Sequence, residues 1–242
     1  MSIPVPPEEA EAAVARLLEL VPEGHEVTPT GLAVYVDEQQ LRALTSAFPA
    51  ATVEQVEPGW EDAWRRFHTG VRIGPFWVGP PWEQPPSEAL PIVIDPGRAF
   101  GTGAHPTTRL AVELLAELEP GSLLDVGCGS GVIAIAAAKL GFVPVRAGDT
   151  DAVAIEVTRE NARRNGVTLE AAMLDARTDA LDADIVIANI ALDVVEALAT
   201  HVRCRDLVLS GYLAGDRPAV PGLVHVARRE RDGWAADSYR PE

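Results

Sequence analysis

The sequence predicts an α/β protein: a doubly wound, mostly parallel sheet closed by an antiparallel C-terminal hairpin, preceded by a small N-terminal α+β unit. Three observations predict it. From Leu110 onward, strand-like runs alternate with helical ones. A glycine-rich loop, Gly127-Cys128-Gly129-Ser130-Gly131, joins one such strand to the helix after it. Near the end, Asp232-Gly233 separates two further strand-like runs, a strong two-residue hairpin signal.

Taken in order, Glu8 to Leu20 suits a helix, with Val14, Leu17, Leu18 and Val21 at helical spacing. Leu32 to Val36 reads as a short strand after the Thr30-Gly31 turn signal. Asp37 can cap a helix over Glu38 to Ala47 that Pro49 stops, and Ala51 to Val56 suits a strand. Trp60, Trp64 and Phe67 share one face of a further helix, a spacing that suits packing better than ligand contact. Phe76-Trp77-Val78 is a strand between the breakers of a Pro- and Trp-rich connector running from Gly74 to Pro91.

Beyond that connector the pattern becomes regular. Strands are expected at Leu123 to Val126, Val143 to Ala147, Thr168 to Leu174, Ile185 to Ala188 and Leu207 to Ser210. Helices are expected at Val132 to Leu140, Ala152 to Asn165 and Asp193 to His201. Leu223 to Arg229 and Trp234 to Tyr239 form the closing hairpin, with little room between Pro218 and Gly222 for a helix before it.

Composition sets the outer bounds. The 242 residues are long for one ordinary domain and short for two full-sized ones, and 47% hydrophobic residues suffice for a sizeable core. No apolar run approaches the roughly 18 residues of a transmembrane helix. The start, Met1 to Glu9, lacks the basic and apolar regions of a signal peptide, so a cytoplasmic protein without a membrane partner is expected. The excess of 36 acidic over 20 basic residues gives a net charge of −16. That field repels phosphate backbones and attracts basic proteins, although it also serves plain solubility, and a local basic patch still leaves room for RNA. Cys128 and Cys204 lie far apart, with no Cys-x-x-Cys pair and no His cluster at metal spacing, so no metal site is expected.

Chemistry concentrates where strands end. The run Asp125-Val126-Gly127-Cys128-Gly129-Ser130-Gly131 lets the backbone bend sharply and approach a ligand closely. Its spacing is Gly-x-Gly-x-Gly, neither the pyrophosphate fingerprint nor a P-loop, and a mere tight turn is the bland reading. Asp149 lies about 20 residues beyond the glycines, where an acidic side chain accepts hydrogen bonds from both ribose hydroxyls. Asp151 suits a helix cap better. Asn189 ends a buried strand at the edge where ligands of open α/β sheets bind, unless it only forms a turn.

This set resembles the class I S-adenosylmethionine-dependent methyltransferases. A second block narrows the resemblance: Asp95-Pro96-Gly97-Arg98-Ala99-Phe100-Gly101-Thr102-Gly103-Ala104-His105-Pro106-Thr107-Thr108-Arg109. Together with Trp60 to Arg65 and Ile187-Ala188-Asn189-Ile190, it resembles the ribosomal protein L-eleven methyltransferase family, over roughly Pro58 to Gly211. The resemblance implies a Rossmann-like catalytic domain over 95–242, a linker helix and connector over 58–94 and a substrate-recognition domain over 1–57. It implies S-adenosylmethionine as methyl donor and amino groups of a large-subunit ribosomal protein, on lysine or at the N-terminus, as acceptors. No direct nucleic-acid substrate and a monomeric enzyme are expected.

By the same resemblance, Asp125, Gly127, Gly129, Asp149, Thr108 and Asn189 contact the cofactor, and Phe100, Gly101, Thr102, Gly103 and His105 cover it. Asp175, after the third strand, either reaches the adenine amino group or only makes a turn. Asn189 is the candidate for orienting the substrate amine, with His105 as a possible assistant or a purely structural member of the cofactor loop. The residues before 58 show no motif of the family. The rivals are a nucleobase, glutamine or small-molecule methyltransferase and a noncatalytic binding module. Nucleobase enzymes commonly carry Asn-Pro-Pro-Tyr at the fourth strand, whereas here Ile190-Ala191-Leu192 follows Asn189, which suits a flexible aliphatic amine.

Overall fold

Strand alternation and helix faces organise the chain around a central sheet, seen in a computed structural model that describes residues 2–6, 13, 17, 26–28, 31–34, 36, 38–53, 69–95 and 103–241. The chain divides into two units, Met1–Trp64 and Arg65–Glu242. In the first, β1 (Ser2–Pro4), β3 (Gly31–Ala33) and β2 (Glu26–Thr28) form an antiparallel sheet in that order. Helix α1 (Glu38–Ala47) spans the expected residues, and Leu44 joins Ile3, Leu17, Leu32 and Val34 in a small core. The expected strand at Ala51 reduces to one bridge, Thr52 exchanging both backbone hydrogen bonds with Ser2 at 2.8 Å. Of the expected helix over 8–20, Ala13 and Leu17 are described, and both are helical. The cap Asp37 and the aromatic face of Trp60, Trp64 and Phe67 lie outside the described residues.

The second unit opens with a small sheet that sequence reading credits with one strand only. Strand β5 (Phe76–Gly79) pairs antiparallel with β4 (Val71–Ile73) and parallel with β6 (Leu90–Val93). This sheet is part of the main core, because Ile73, Phe76, Val78, Ile92 and Ile94 cluster with the apolar faces of the following helices.

Among the described residues, seven strands then form the central sheet in the order β12-β13-β11-β10-β7-β8-β9. They are β7 (Leu123–Val126), β8 (Val145–Asp149), β9 (Glu170–Met173), β10 (Ile185–Asn189), β11 (Asp206–Leu213), β12 (Leu223–Arg231) and β13 (Trp234–Pro241). The five strands from β9 to β11 run parallel, and β13 is antiparallel to both its neighbours. Strand β8 starts two residues later than expected, because Pro144 has no N–H for the ladder and Val143 is exposed. The hairpin turn has φ of +51° at Asp232 and +81° at Gly233, the two positive values a two-residue turn of the primed type requires.

Alternation along the strands sorts side chains to two faces. Leu123, Val145, Ala147, Ile185, Ile187 and Val208 face one core with helices α2 (Pro106–Leu115), α3 (Val132–Lys139) and α4 (Ala152–Arg164). Leu124, Val126, Val186, Ala188, Leu207 and Leu209 face the other, where α5 (Leu192–Ala199) contributes Val195 and Leu198. Between β11 and β12 there is no helix, as the short Pro218–Gly222 stretch suggests. Charges close that end of the second face instead. The buried Asp237 carboxylate accepts from Arg228 Nη1 and Tyr212 Oη and pairs with His225 Nε2, each at 2.8 Å. Arg228 Nη2 donates onward to the carbonyls of Ala214 and Asp216, pinning the loop that takes the helix's place. No helix among the described residues is long and apolar enough to cross a membrane.

Asp237→Ala removes one of the two carboxylates that pair with the nearly buried Arg228 guanidinium, leaving Glu230 at 2.7 Å as the other. Urea denaturation should show a loss of about 1.5–3 kcal/mol, the usual range for hydrogen bonds to a charged group. A loss below about 1 kcal/mol, typical of exposed pairs, would mean that water replaces the carboxylate freely.

Candidate active site

The site forms at the C-terminal edge of β7, β8 and β10, where the strand order reverses and an open α/β sheet leaves a crevice. Strand β7 leads into the glycine loop, whose three glycines all take positive φ: +75° at Gly127, +51° at Gly129 and +81° at Gly131. The loop is held from several sides. Gly127 and Cys128 donate to the Gly148 carbonyl at 2.8 and 3.0 Å. From α4, Thr158 Oγ1 donates to Gly129 O at 3.0 Å and Asn161 Nδ2 to Ser130 O at 2.9 Å. Thr158 and Asn161 are roles the sequence reading missed. Their signal was two polar residues three apart on the otherwise apolar face that carries Ala154, Ile155 and Ala162.

Asp149 ends β8 and reaches the loop. One carboxylate oxygen accepts from Gly129 N and the other from Asp151 N, both at 3.0 Å. A carboxylate has about four lone-pair positions, so each oxygen retains one for a ligand hydroxyl. Asp151 caps α4 as expected, accepting from Val153 N at 2.8 Å.

Asp125 is buried beneath the same loop. Its Oδ2 accepts from Ala134 N in the first turn of α3 at 3.1 Å, while Oδ1 has no hydrogen-bond partner. Burial, opposed in part by that hydrogen bond and reinforced by the Asp149 charge, pushes its carboxyl up to about 7. Burial and the Asp125 charge likewise push the Cys128 thiol up to about 12, so it packs in the loop as a neutral group.

Asn189 continues the alternation of β10 onto the three-helix face. There its Nδ2 donates to Thr108 Oγ1, buried on α2, at 3.2 Å. His105 caps α2, with Nδ1 accepting from Thr107 N and lying 2.8 Å from Thr107 Oγ1, and its ring meets Trp234 edge-on at 4.8 Å. Gly103 takes φ +85°, and a Cβ there would fall 2.5 Å from a Val78 methyl. The structure thus brings together Asp125, Gly127, Gly129 and Asp149 around the loop, and Thr108 with Asn189 beside it. Asp175 makes a turn, its Oδ1 accepting from Arg177 N and its own N donating to Asp179. Phe100, Gly101 and Thr102 lie outside the described residues. No group that could hold a metal occurs among the described residues.

Residues 9–219 match the family model described as ribosomal protein L11 methyltransferase (PrmA). The chain belongs to this family. It is 38% identical over 222 residues to the ribosomal protein L11 methyltransferase of Symbiobacterium thermophilum, which covers 83% of this chain and 72% of that one. The enzyme of the same name from Pseudomonas putida is 41% identical over 223 residues, covering 83% and 75%. Among solved structures, a ribosomal protein L11 methylase from Lactobacillus delbrueckii subsp. bulgaricus matches with a TM-score of 0.62 at 28% identity, over 72% of this chain and 99% of that one. For this family member, the glycine loop and the Thr108–Asn189 pair both fall inside the matched span.

The buried Asp125 carboxyl carries a pH signature. A carboxyl raised from 3.8 to about 7 binds a proton in the folded chain that it has lost in the unfolded one. Its cost to stability therefore accumulates above about pH 3.8 and is complete above about pH 7, where it approaches roughly 4 kcal/mol. Asp125→Asn removes the ionisation and keeps an acceptor for Ala134 N. Its melting temperature should exceed the parent's at pH 8 and converge with it near pH 4, and equal gains at both would detach the effect from ionisation.

Proposed function

We propose that this chain transfers methyl groups from S-adenosylmethionine to amino groups of ribosomal protein L11, on lysine side chains, the N-terminal α-amine or both. The observation that carries the reading is the meeting of Asn189 with Thr108 beside the Asp149-bound glycine loop, in a member of this family. The donor set fits the methyl donor. Asp149 offers acceptors for ribose hydroxyls, Asp125 has an orphaned acceptor under the loop, and Thr108 and Asn189 offer a hydroxyl and an amide. When bound, S-adenosylmethionine supplies a methyl group on a sulfonium sulfur that an amine can displace.

The remaining chemistry belongs to the protein. With Nδ2 held by Thr108, the Asn189 side chain presents Oδ1 as an acceptor for an N–H of the incoming amine, which orients the nitrogen lone pair. The amine must be neutral, against reference pKa values of about 10.4 for lysine and about 8 for an α-amine. A desolvated slot around the sulfonium favours the neutral form, and the residues after Asn189 are the aliphatic Ile190-Ala191-Leu192. Those aliphatic side chains also favour a flexible amine over a flat base, which a ring would stack. His105 Nδ1 is engaged in capping α2, so positioning and desolvation carry the rate in this reading.

Residues 1–57 present the protein substrate. They hold ten acidic residues and two arginines, net −8 of the chain's −16, which complements a basic ribosomal protein.

Incubation with methyl-labelled donor and unmethylated ribosomes, followed by mass spectrometry, tests the whole reading. Label is expected on amino groups of L11, and label confined to RNA would overturn it. Asp149→Ala should weaken binding of the methyl donor by about 1.5–3 kcal/mol in calorimetric titration. An unchanged affinity in the folded variant would remove Asp149 from the site. Asn189→Ala should lower kcat about 100-fold at saturating donor with a nearly unchanged Tm. Normal turnover with a depressed Tm would move Asn189 from the chemistry to the scaffold.

A further inference from the structure

The end of β7, the end of β10 and the bulge of β11 converge on one residue, Ile190. Ile190 follows Asn189 and is half-buried against the second core. On one side lies Gly127, at the end of β7. A Cβ built there would fall 2.2 Å from Ile190 Cγ2, so the branch methyl of Ile190 occupies the hollow that the missing side chain leaves. On the other side lies Gly211, where β11 bulges between Ser210 and Tyr212 at φ +103°. A Cβ there would meet the Ile190 carbonyl oxygen at 2.2 Å and its nitrogen at 2.8 Å. Between these contacts Ile190 N donates to Ser210 O at 3.1 Å, directly after the register pair of Asn189 with Ser210.

Both glycines take a positive φ that disfavours a side chain, and the nearest atoms to the missing Cβ are those of Ile190 at each, its side chain at Gly127 and its backbone at Gly211. Sequence spacing gives no sign of this, because the contacts join residues 127, 190 and 211 from three different strands. The consequence concerns Asn189. Its backbone is fixed by β10 on one side and by the clamped Ile190 peptide on the other, and its Nδ2 must reach Thr108 Oγ1 at 3.2 Å.

We infer that Ile190 is a positioning residue: its β-branched methyl, wedged over Gly127 and backed by the Gly211 bulge, sets where the Asn189 amide is presented to the substrate amine. The inference rests on the methyltransferase reading for its catalytic consequence and on the wedge geometry alone for its structural one. It assigns the specific requirement to Cγ2. Valine keeps that methyl, whereas leucine conserves volume but moves the branch one carbon outward. A merely apolar role would accept leucine at least as well as valine, since volume-conserving swaps are tolerated best.

Ile190→Leu and Ile190→Val in the full chain separate the two roles. The side-chain amide resonance of Asn189, assigned by its disappearance in Asn189→Ala, reports the Thr108 hydrogen bond without any turnover. It should shift in Ile190→Leu and stay at the parent position in Ile190→Val. With L11 and labelled donor, Ile190→Leu should lower kcat about 10- to 100-fold with little change in KM for the donor, and Ile190→Val should restore it. An Asn189 resonance unmoved in Ile190→Leu, or the same loss in both variants, would overturn the inference. A parent enzyme that labels no amine would instead overturn the functional reading, and the amide resonance would still decide whether the wedge sets Asn189.

Discussion

The hydrogen bond from Asn189 Nδ2 to Thr108 Oγ1 joins residues 81 positions apart and ties α2 to the end of β10. Thr108 arrives on α2, whose apolar face packs across the sheet, with Leu110, Ala111, Leu114 and Leu115 buried. Asn189 arrives at the end of β10, a strand buried on both faces until its last residue. Such a bond contributes only about 0.5–1.5 kcal/mol. Its weight lies in geometry: α2 must be seated on β11 and β13, and β10 paired with β7 and β11, before the two side chains meet. His105 and Ser210 serve that seating, one by capping α2 against Trp234, the other with Oγ 2.8 Å from Ala235 O and 3.3 Å from Thr107 O.

What could be read from the sequence was what is decided locally. The loop from β7 into α3 announces itself by three glycines that adopt positive φ, and the last hairpin by an Asp-Gly pair that does the same. Helix α1 follows from the proline that stops it, and the Asp151 cap from a short side chain that accepts a backbone N–H. Asp125, Gly127, Gly129, Asp149 and Asn189 were legible for the same reason, each standing at or next to the end of an identifiable strand. Four short strands were not, whereas β3 and β5, equally short, stood out beside turn and breaker residues. β1, β2, β4 and β6 span three or four residues, too few for alternation to register, and Pro4 and Pro91 stand within two of them.

Long-range fit was the other thing hidden. Thr158 and Asn161 look like ordinary helix residues until the loop they hold is folded over them. Ile190 looks like one more apolar residue until Gly127 and Gly211 close on it. Asp175 illustrates a choice spacing cannot make, since a carboxylate after a strand suits a ligand and a turn equally, and here it bonds to Arg177 N. Asp125 shows local consistency giving way beside a site: an apolar residue would pack better at that position in β7, and the carboxyl stays at the expense of stability.

The two faces of the sheet are covered by different means, and this bears on temperature. Three helices bury the first face with apolar side chains, whereas beside β11 and β13 the second relies on Asp237, Arg228, His225 and Tyr212. Hydration of charged groups becomes less favourable on heating, so the penalty for holding them away from water shrinks, while apolar burial gains little further per unit area. The hairpin end of this molecule is therefore held by the interaction that warming weakens least. Substituting an apolar set of equal volume there would trade heat tolerance for strength near room temperature.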